Sequence, residues 1–212
     1  MSLYQHTMGR VQELFPGDTL KLQEAGEWVD FVVAGKGLLG TAEGDALLVR
    51  KELLPPCTYF FASAEYEGST PDRWLSYGYL NALQRAAQKA LVPAALPCWD
   101  EFHKLSKTLV RRCFLLSATE LGFVDESRVP VEGTAIPYFS EDGARAAQFV
   151  GSPAPYGTRT PMKASLGNSV HIISVGAAGE QLSHPVLLYP LPVRPALVLR
   201  GDTGFDTARR LL

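Results

Sequence analysis

The chain lacks most of the features that reveal a function directly. It has three cysteines, Cys57, Cys98 and Cys113, and no C-x-x-C pair, which excludes a cysteine zinc site and a thioredoxin-like motif. An odd number of widely spaced cysteines also argues against a complete disulfide framework and predicts free thiols in the core. No apolar run approaches the roughly 20 residues of a membrane-spanning helix, so we expect no membrane insertion.

An excess of charge of one sign is also missing. The 20 basic and 22 acidic residues leave a formal net charge of −2, which predicts no electrostatic attraction to nucleic acid or anionic lipid. Residues 1–14 contain no apolar stretch of signal-peptide length, so we expect synthesis in the cytoplasm without a secretion signal.

Motifs of catalytic sites are absent as well. The chain contains no G-x-G-x-x-G or Walker loop and no G-x-S-x-G elbow. Its four histidines do not have metal-ligand spacing, and the acidic runs at 125–126 and 141–143 lack the alternating spacing of a calcium loop. We therefore expect no enzymatic activity, no cofactor and no bound metal.

The chain does contain many short β-prone pieces, separated by 19 glycines and 15 prolines. Residues 19–22 and 28–34 read as strands of a hairpin, with its turn at 24–26. Residues 45–51 have a continuous apolar centre, which predicts a strand buried on both faces.

The strongest helical pattern covers residues 72–90. Trp74 and the following apolar residues recur at helical spacing, so Trp74 is assigned a structural role. Either Thr70 or Asp72 is a suitable N-cap. Gly78 weakens the middle, so the segment is one helix or two shorter pieces.

A strand at 109–116 is predicted to lead into a short helix. Ser117 and Glu120 have the spacing of a capping box, and Gly122 is a natural C-cap. Both capping residues are therefore assigned structural roles rather than catalytic ones.

The C-terminal part alternates β-prone runs with turns at 170–175, 186–189 and 196–199, which predicts an antiparallel meander. No linker divides the chain, so we expect one α+β domain at 15–200. Residues 1–14 are assigned as an N-terminal arm, and residues 201–212 as an extension that is either a frayed tail or an assembly arm.

Several short blocks recur in a characteristic order along the chain. These are 17–19 (GDT), 29–33 (VDFVV), 47–51 (LLVRK), 73–75 (RWL), 80–81 (LN), 114–122 (FLLSATELG), 131–135 (VEGTA) and 193–199 (VRPALVL).

This order resembles an uncharacterised family from tail-gene clusters of phages and prophages of Gram-positive bacteria. That family is similar to the C-type-lectin fold and, distantly, to formylglycine-generating enzymes. The resemblance implies a C-type-lectin-like α+β domain with antiparallel strands, one main helix and a C-terminal β-meander with long loops. The family's W-x-R-S-P block is altered here to FVGSP at 149–153, and no cysteine follows Cys113, so the oxidase chemistry is not implied.

The resemblance also assigns roles to individual residues. Arg194, in the closing block, is expected to be a buried structural arginine that donates to carbonyls or a carboxylate. The loops at 154–168 and 177–192 are expected to present a binding surface, although Tyr156 fits a core position equally well. The candidate binding residues are Tyr156, Arg159, Lys163, Asn168, Gln181 and His184.

The function implied is that of a non-enzymatic virion protein, tail-associated or decorating, with a lectin-like module. Its expected partners are other virion proteins, a bacterial surface glycan or protein, and further copies of itself. The alternatives are a host-encoded binding or scaffolding module and an enzyme of unrecognised chemistry.

Overall fold

The computed structural model describes residues 8–57, 65–100, 105–123, 130–162, 171–185 and 190–212. Within these ranges the protein consists mostly of short antiparallel strands, together with a few short helices. The strands are β1 (Gly9–Arg10), β2 (Thr19–Glu24), β3 (Glu27–Lys36), β4 (Ala46–Arg50), β5 (Leu54–Cys57), β6 (Leu91–Val92), β7 (Ala94–Asp100), β8 (Leu105–Arg111), β9 (Cys113–Phe114), β10 (Gln148–Phe149), β11 (Ser152–Pro153), β12 (Tyr156–Pro161), β13 (His171–Val175), β14 (Gln181–Pro185), β15 (Leu191–Val193), β16 (Ala196–Leu199) and β17 (Gly204–Phe205).

The helices are all short. The described ranges contain α1 (Thr70–Arg73), α2 (Leu80–Ala82), α3 (Arg85–Ala90) and α4 (Asp142–Arg145), with a π-helical segment at Trp74–Tyr79 between α1 and α2. None of the helices in these ranges combines the length and the apolar character that a membrane span requires.

The predicted N-terminal hairpin is confirmed. Strands β2 and β3 pair in register from Thr19↔Val32 to Glu24↔Glu27. Ala25 and Gly26 form the turn with φ values of 48° and 97°. Two consecutive residues with positive φ match the right-handed twist of the flanking strands, which is why glycine suits this turn.

The main sheet is built around β4, whose five residues are all buried, as the apolar run at 45–51 predicts. The strand order is β2-β3-β4-β16-β6, and β9 also pairs with β16. The predicted position of 196–199 at the end of a C-terminal meander is therefore wrong. Strand β16 crosses back to pair with β4, while β12, β13 and β14 form a separate three-stranded meander.

The helix predicted at 72–90 is broken at Leu83 rather than at Gly78. The backbone at Leu83 is extended, with φ −70° and ψ 144°. The next amide, that of Gln84, donates to the carbonyl of Gln23 on β2 at 2.8 Å, so the sheet takes up the hydrogen bond that a helix would use. The observed N-cap is Ser69, whose hydroxyl accepts from the Asp72 amide at 3.3 Å.

Trp74, which was assigned a structural role, lies at the edge of the core. Its side chain is 37% exposed, and its ring lies 5.6 Å from that of Tyr79, centroid to centroid. The π-helical segment changes the periodicity from 3.6 residues per turn, so Leu75 and Tyr79 face the core while Trp74 lies at its edge.

The capping box forms as predicted, but around a single turn instead of a helix. The Ser117 amide donates to Glu120 at 2.9 Å, and the Glu120 amide donates to the Ser117 hydroxyl at 3.0 Å. Gly122, with φ 83°, closes the turn, and the next amide, that of Phe123, donates to the Ala118 carbonyl at 2.9 Å. This is a Schellman-type ending, and it leaves no room for a second turn of helix.

The described parts of the two terminal segments pack on the domain instead of extending as arms. Strands β1 and β17 pair with each other. Val11, Leu14, Phe205 and Leu211 are all buried in the main core. The Leu211 amide also donates to the carbonyl of Lys21 on β2 at 3.0 Å, so both ends of the described chain are held against the sheet.

Candidate functional site

The described residues predicted to form one binding surface all belong to the β12-β13-β14 sheet, but they do not form one exposed surface. Lys163 and Asn168 lie outside the described residues. Gln181 and His184 lie on β14 with partly exposed side chains, so the predicted loop at 177–192 contains a strand.

Tyr156 and Arg159 belong to β12, in which all six residues are buried. The predicted exposure of Arg159 on a loop is therefore wrong, and of the two alternatives open for Tyr156 the structure shows the core position. The sequence of β12, Tyr-Gly-Thr-Arg-Thr-Pro, is too polar and too rich in turn residues to suggest a buried strand. Such a strand is stable only because distant residues supply partners for its polar groups, and a local pattern cannot reveal those partners.

Arg159 forms the centre of a buried charge network with Glu120, and both side chains are fully inaccessible to solvent. The guanidinium donates to the two carboxylate oxygens of Glu120 at 2.6 and 2.7 Å. It also donates to the carbonyls of Leu115 at 2.8 Å and Pro97 at 3.2 Å. This bidentate geometry supplies the compensation that a buried ion pair needs.

Glu132 is the second buried carboxyl of this network. It accepts a hydrogen bond from the Trp99 amide at 2.6 Å and another from the Thr160 hydroxyl. Burial raises the pKa of Glu132 to about 7, against the opposing influence of the Arg159 charge and of both hydrogen bonds. Glu132 lies in the block at 131–135, and the sequence does not mark it as a site residue. Its neighbour Gly133 packs against Glu120, a contact that only the fold reveals.

Gly133 shows how tightly the network is enclosed. Its φ is 93°, and a Cβ atom there would lie 3.1 Å from a carboxylate oxygen of Glu120. Any larger residue would be strained and would press on the ion pair. We call Arg159, Glu120 and Glu132 the sealed network, since none of the three is accessible to a ligand.

The thiols of Cys98 and Cys113 are free and buried. Burial raises the pKa of each thiol to about 12, so both remain protonated at neutral pH. A reactive cysteine requires the thiolate, and these two therefore behave as apolar core residues.

Arg194 is buried and holds three parts of the chain together. It donates to the carbonyls of Arg50 at 3.1 Å and Arg145 at 2.8 Å, and to the Tyr156 hydroxyl at 3.0 Å. Its guanidinium also lies over the rings of Tyr156 and Phe139. These contacts attach the segment that contains α4 to the main sheet, and they define one wall of the groove described next.

An open groove of about 610 Å³ lies between the β2–β3–β4 side of the main sheet and the segment 138–148. Two partly exposed aromatic rings, Trp28 and Tyr138, contribute to its walls. The Arg210 guanidinium lies 5.3 Å from the centroid of the Trp28 ring, which holds the indole in place from the C-terminal segment.

Several polar groups of the groove remain in contact with solvent, although Arg50 and Arg194 are buried. Lys21 and Asp30 form an ion pair of 2.5 Å whose side chains are 38% and 39% exposed. Lys51, Glu52 and Gln148 also line the groove and are exposed. The arrangement offers hydrogen-bond donors and acceptors beside aromatic rings, which suits binding rather than a single reaction step. We call this site the sheet groove.

A metal ion has no evident place in the described part of the chain, since no cluster of three potential ligand residues occurs there.

The family model of a domain of unknown function (DUF6273) matches residues 43–201, which are 159 of the 212 residues. The chain belongs to this family. No curated protein and no solved structure is similar enough to match it.

The DUF6273 match covers the whole sealed network but only part of the sheet groove. All three residues of the sealed network fall inside it, as do Tyr138 and Gln148 of the sheet groove. The opposite wall of the groove, with Lys21, Trp28 and Asp30, comes from the hairpin that precedes the match. The groove is therefore completed by a part of the chain outside the DUF6273 domain.

Proposed function

We propose that this DUF6273 protein is a non-enzymatic binding module of a phage particle, tail-associated or decorating, with a C-type-lectin-like fold. The observation that carries the binding role is the contrast between its charged sites. In the sealed network Arg159 pairs with Glu120, and Glu132 is bonded to the Trp99 amide and the Thr160 hydroxyl, whereas the sheet groove presents exposed polar groups beside two aromatic rings. Its ligand is a partner at the host surface or on the particle.

The chemistry of the sheet groove favours a saccharide of the bacterial surface as that partner. An aromatic face packs against the C–H groups of a sugar ring, and neighbouring charged or amide groups bond to its hydroxyls. Trp28 supplies the face, while Asp30, Lys51 and Gln148 supply donors and acceptors along the same groove. The indole is already fixed by Arg210, so binding loses little side-chain entropy.

The lectin-like fold is supported by the mostly antiparallel strands, the short helices and the meander of β12, β13 and β14 in the C-terminal half. The particle location rests on the resemblance of the ordered sequence blocks to a phage and prophage family. The two parts of the proposal therefore require separate tests.

The groove is tested by binding of the fluorescently tagged protein to cells and to purified cell-wall glycan of the host bacterium. Trp28→Ala should abolish the binding, because it removes the aromatic face. Trp74→Ala is a matched control, since both indoles are 37% exposed and Trp74 does not line the groove. Equal binding by the two variants would remove the groove from the proposal.

The particle location is tested by mass spectrometry of gradient-banded phage particles induced from the source strain. We expect the chain well above background, at a copy number that separates a tail-tip protein from a capsid decoration. If the protein is abundant in the lysate but missing from intact particles, it is a host binding or scaffolding module instead.

A further inference from the structure

A second concave site lies on the far side of the helical segment from the core. It is a cleft of about 560 Å³ between residues 67–80 and the end of β8. Its walls include Arg73, Ser76, Tyr77, Val110, Arg111 and Arg112, and we call it the arginine cleft. It shares no lining residue with the sheet groove.

The acidic groups of the arginine cleft are already neutralised. Asp72 accepts two hydrogen bonds from Arg111, at 2.7 and 2.9 Å, and another from the Gly68 amide at 2.9 Å. Glu67 pairs with Lys107 at 2.9 Å. These carboxylates hold the cleft together and leave no negative charge available to other cations in it.

Two guanidinium groups of the cleft are left without such a partner. Arg73 and Arg112 are exposed, and neither forms an ion pair with any residue in the described ranges. With the other charges of the cleft paired, these two arginines give it a net positive character. Guanidinium groups prefer carboxylate or phosphate partners, which they bind through paired hydrogen bonds.

Between these charges the cleft is apolar. Tyr77 is 72% exposed and Val110 is 61% exposed, which are large values for such side chains, and Leu80 lies beside them. Tyrosine and arginine next to each other at an exposed apolar patch are typical of protein–protein interaction sites.

Ser76 adds an unsatisfied polar group at the same place. Its hydroxyl oxygen is buried and has no hydrogen-bond partner among the described residues. Ser76 lies in the π-helical segment, a distortion that recurs at functional sites. An unpaired buried hydroxyl lowers stability, and a small adjustment on binding would let a ligand satisfy it.

We propose that the arginine cleft binds an acidic peptide segment of a partner protein. The carboxylates of the peptide pair with Arg73 and Arg112, and an apolar side chain between them packs on Tyr77 and Val110. Charge complementarity selects this partner, because the cleft combines two unpaired cations with an apolar wall. The protein therefore has two independent binding faces, and the arginine cleft links it to another protein while the sheet groove remains free.

The test measures fluorescence anisotropy of a short labelled peptide in which a Leu-Phe pair is flanked on both sides by aspartates. The full-length protein should bind this peptide, and an otherwise identical peptide with asparagines should bind at least about tenfold more weakly, as expected for the loss of charge-assisted hydrogen bonds. The affinity should fall as the salt concentration rises, since the arginines are exposed.

The double variant Arg73→Gln, Arg112→Gln should weaken binding by a similar factor, and Tyr77→Ser should weaken it without changing its salt dependence. The control variant Arg85→Gln, Lys89→Gln also removes two positive charges, but from α3, outside the cleft. It should bind the peptide like the wild type. Trp28→Ala should also bind the peptide normally, which separates this proposal from the one for the sheet groove.

Three results would overturn the proposal. They are no binding of the aspartate peptide by the wild-type protein, equal binding of the asparagine peptide, and an equal loss of affinity in the cleft and α3 double variants. Thermal unfolding of each variant confirms that a loss of binding does not reflect a loss of fold.

Discussion

The ion pairs Arg159–Glu120 and Lys21–Asp30 join the same kinds of charge in opposite surroundings. Both side chains of the first are fully buried, whereas those of the second are 38% and 39% exposed. In the sealed network the protein supplies the partners of both charges, so removal of one charge leaves the other stranded. In the sheet groove, water solvates the charge that remains when its partner is removed. A charged residue of this protein thus serves the fold or serves recognition according to its burial.

The largest expected effect is that of removing the buried cation. Arg159→Met leaves Glu120 and Glu132 without a cationic partner, and we expect it to lower the free energy of unfolding by about 3–5 kcal/mol. Lys21→Met, the same change at the exposed pair, should cost less than about 1 kcal/mol. Urea unfolding of the two variants measures the difference.

A double variant sharpens this comparison. Arg159→Met combined with Glu120→Leu removes both charges of the pair, so it should recover part of the stability that Arg159→Met loses. Similar losses of unfolding free energy in the buried and the exposed single variants would show that the sealed network does not stabilise the fold more than an exposed ion pair does.

The second effect is a pH dependence that comes from Glu132. Because burial raises its pKa from 4.5 to about 7, the folded state holds this proton more tightly than the unfolded state does. Its contribution to stability is therefore complete below pH 4.5 and is lost as the pH rises through about 7. Glu132→Gln, which mimics the protonated group, should remove this loss, worth up to about 3 kcal/mol.

The measurement is the free energy of unfolding of wild type and Glu132→Gln across this pH range. As the pH rises, the free energy of unfolding of the variant should increase relative to that of the wild type. Its altered hydrogen bonds add only an offset that does not depend on pH. Glu52→Gln makes the same chemical change at an exposed position of the sheet groove, and its gain should be much smaller. Parallel curves for wild type and Glu132→Gln would contradict the prediction.

The smallest effect concerns the β10–β11 hairpin, which borders the sheet groove through Gln148. Its two turn residues are Val150, with φ 50°, and Gly151, with φ 76°. A β-branched residue is strained there, and Val150 gains little in return because it is 81% exposed. Val150→Asn creates the preferred Asn-Gly turn and should stabilise the protein by about 1 kcal/mol.

Urea unfolding tests this prediction, with Val110→Asn as the control. Val110 is also an exposed valine, but it lies in β8 and has no positive φ, so its replacement should not stabilise. A Val150→Asn variant that is no more stable than the wild type would show that the turn is not strained. If the variant is more stable but binds cell-wall glycan less well, the strained turn contributes to binding in the sheet groove.

Local patterns were reliable where a structure depends on near neighbours. The β2–β3 hairpin follows from two β-prone runs around the turn at Ala25-Gly26, and the capping box follows from the spacing of Ser117 and Glu120. The helix at 72–90 was less predictable. Its break at Leu83 depends on a hydrogen bond to β2, some 60 residues away in the chain, with Gln84 donating to Gln23.

Neither the sealed network nor the sheet groove could be predicted from local patterns, because both are formed by distant segments of the chain. The resemblance implies an exposed loop at Arg159, and no local pattern singles out Glu132. Arg159 bonds to Glu120, while Glu132 bonds to Trp99 and Thr160, and each of these partners is at least 28 residues away along the chain. Trp28, the main aromatic residue of the sheet groove, was not singled out, since nothing in a strand of a hairpin shows what faces it.

Propensity and burial pattern are properties of neighbouring residues, so local sequence was enough to predict the mostly antiparallel character, the hairpin, the buried central strand β4 and the turn capped by Ser117 and Gly122. Local sequence could not predict that β16 lies beside β4, that Arg159 is enclosed or that Lys21 remains open to solvent. These outcomes depend on contacts between distant segments, whose free energies appear only when the chain has brought them together.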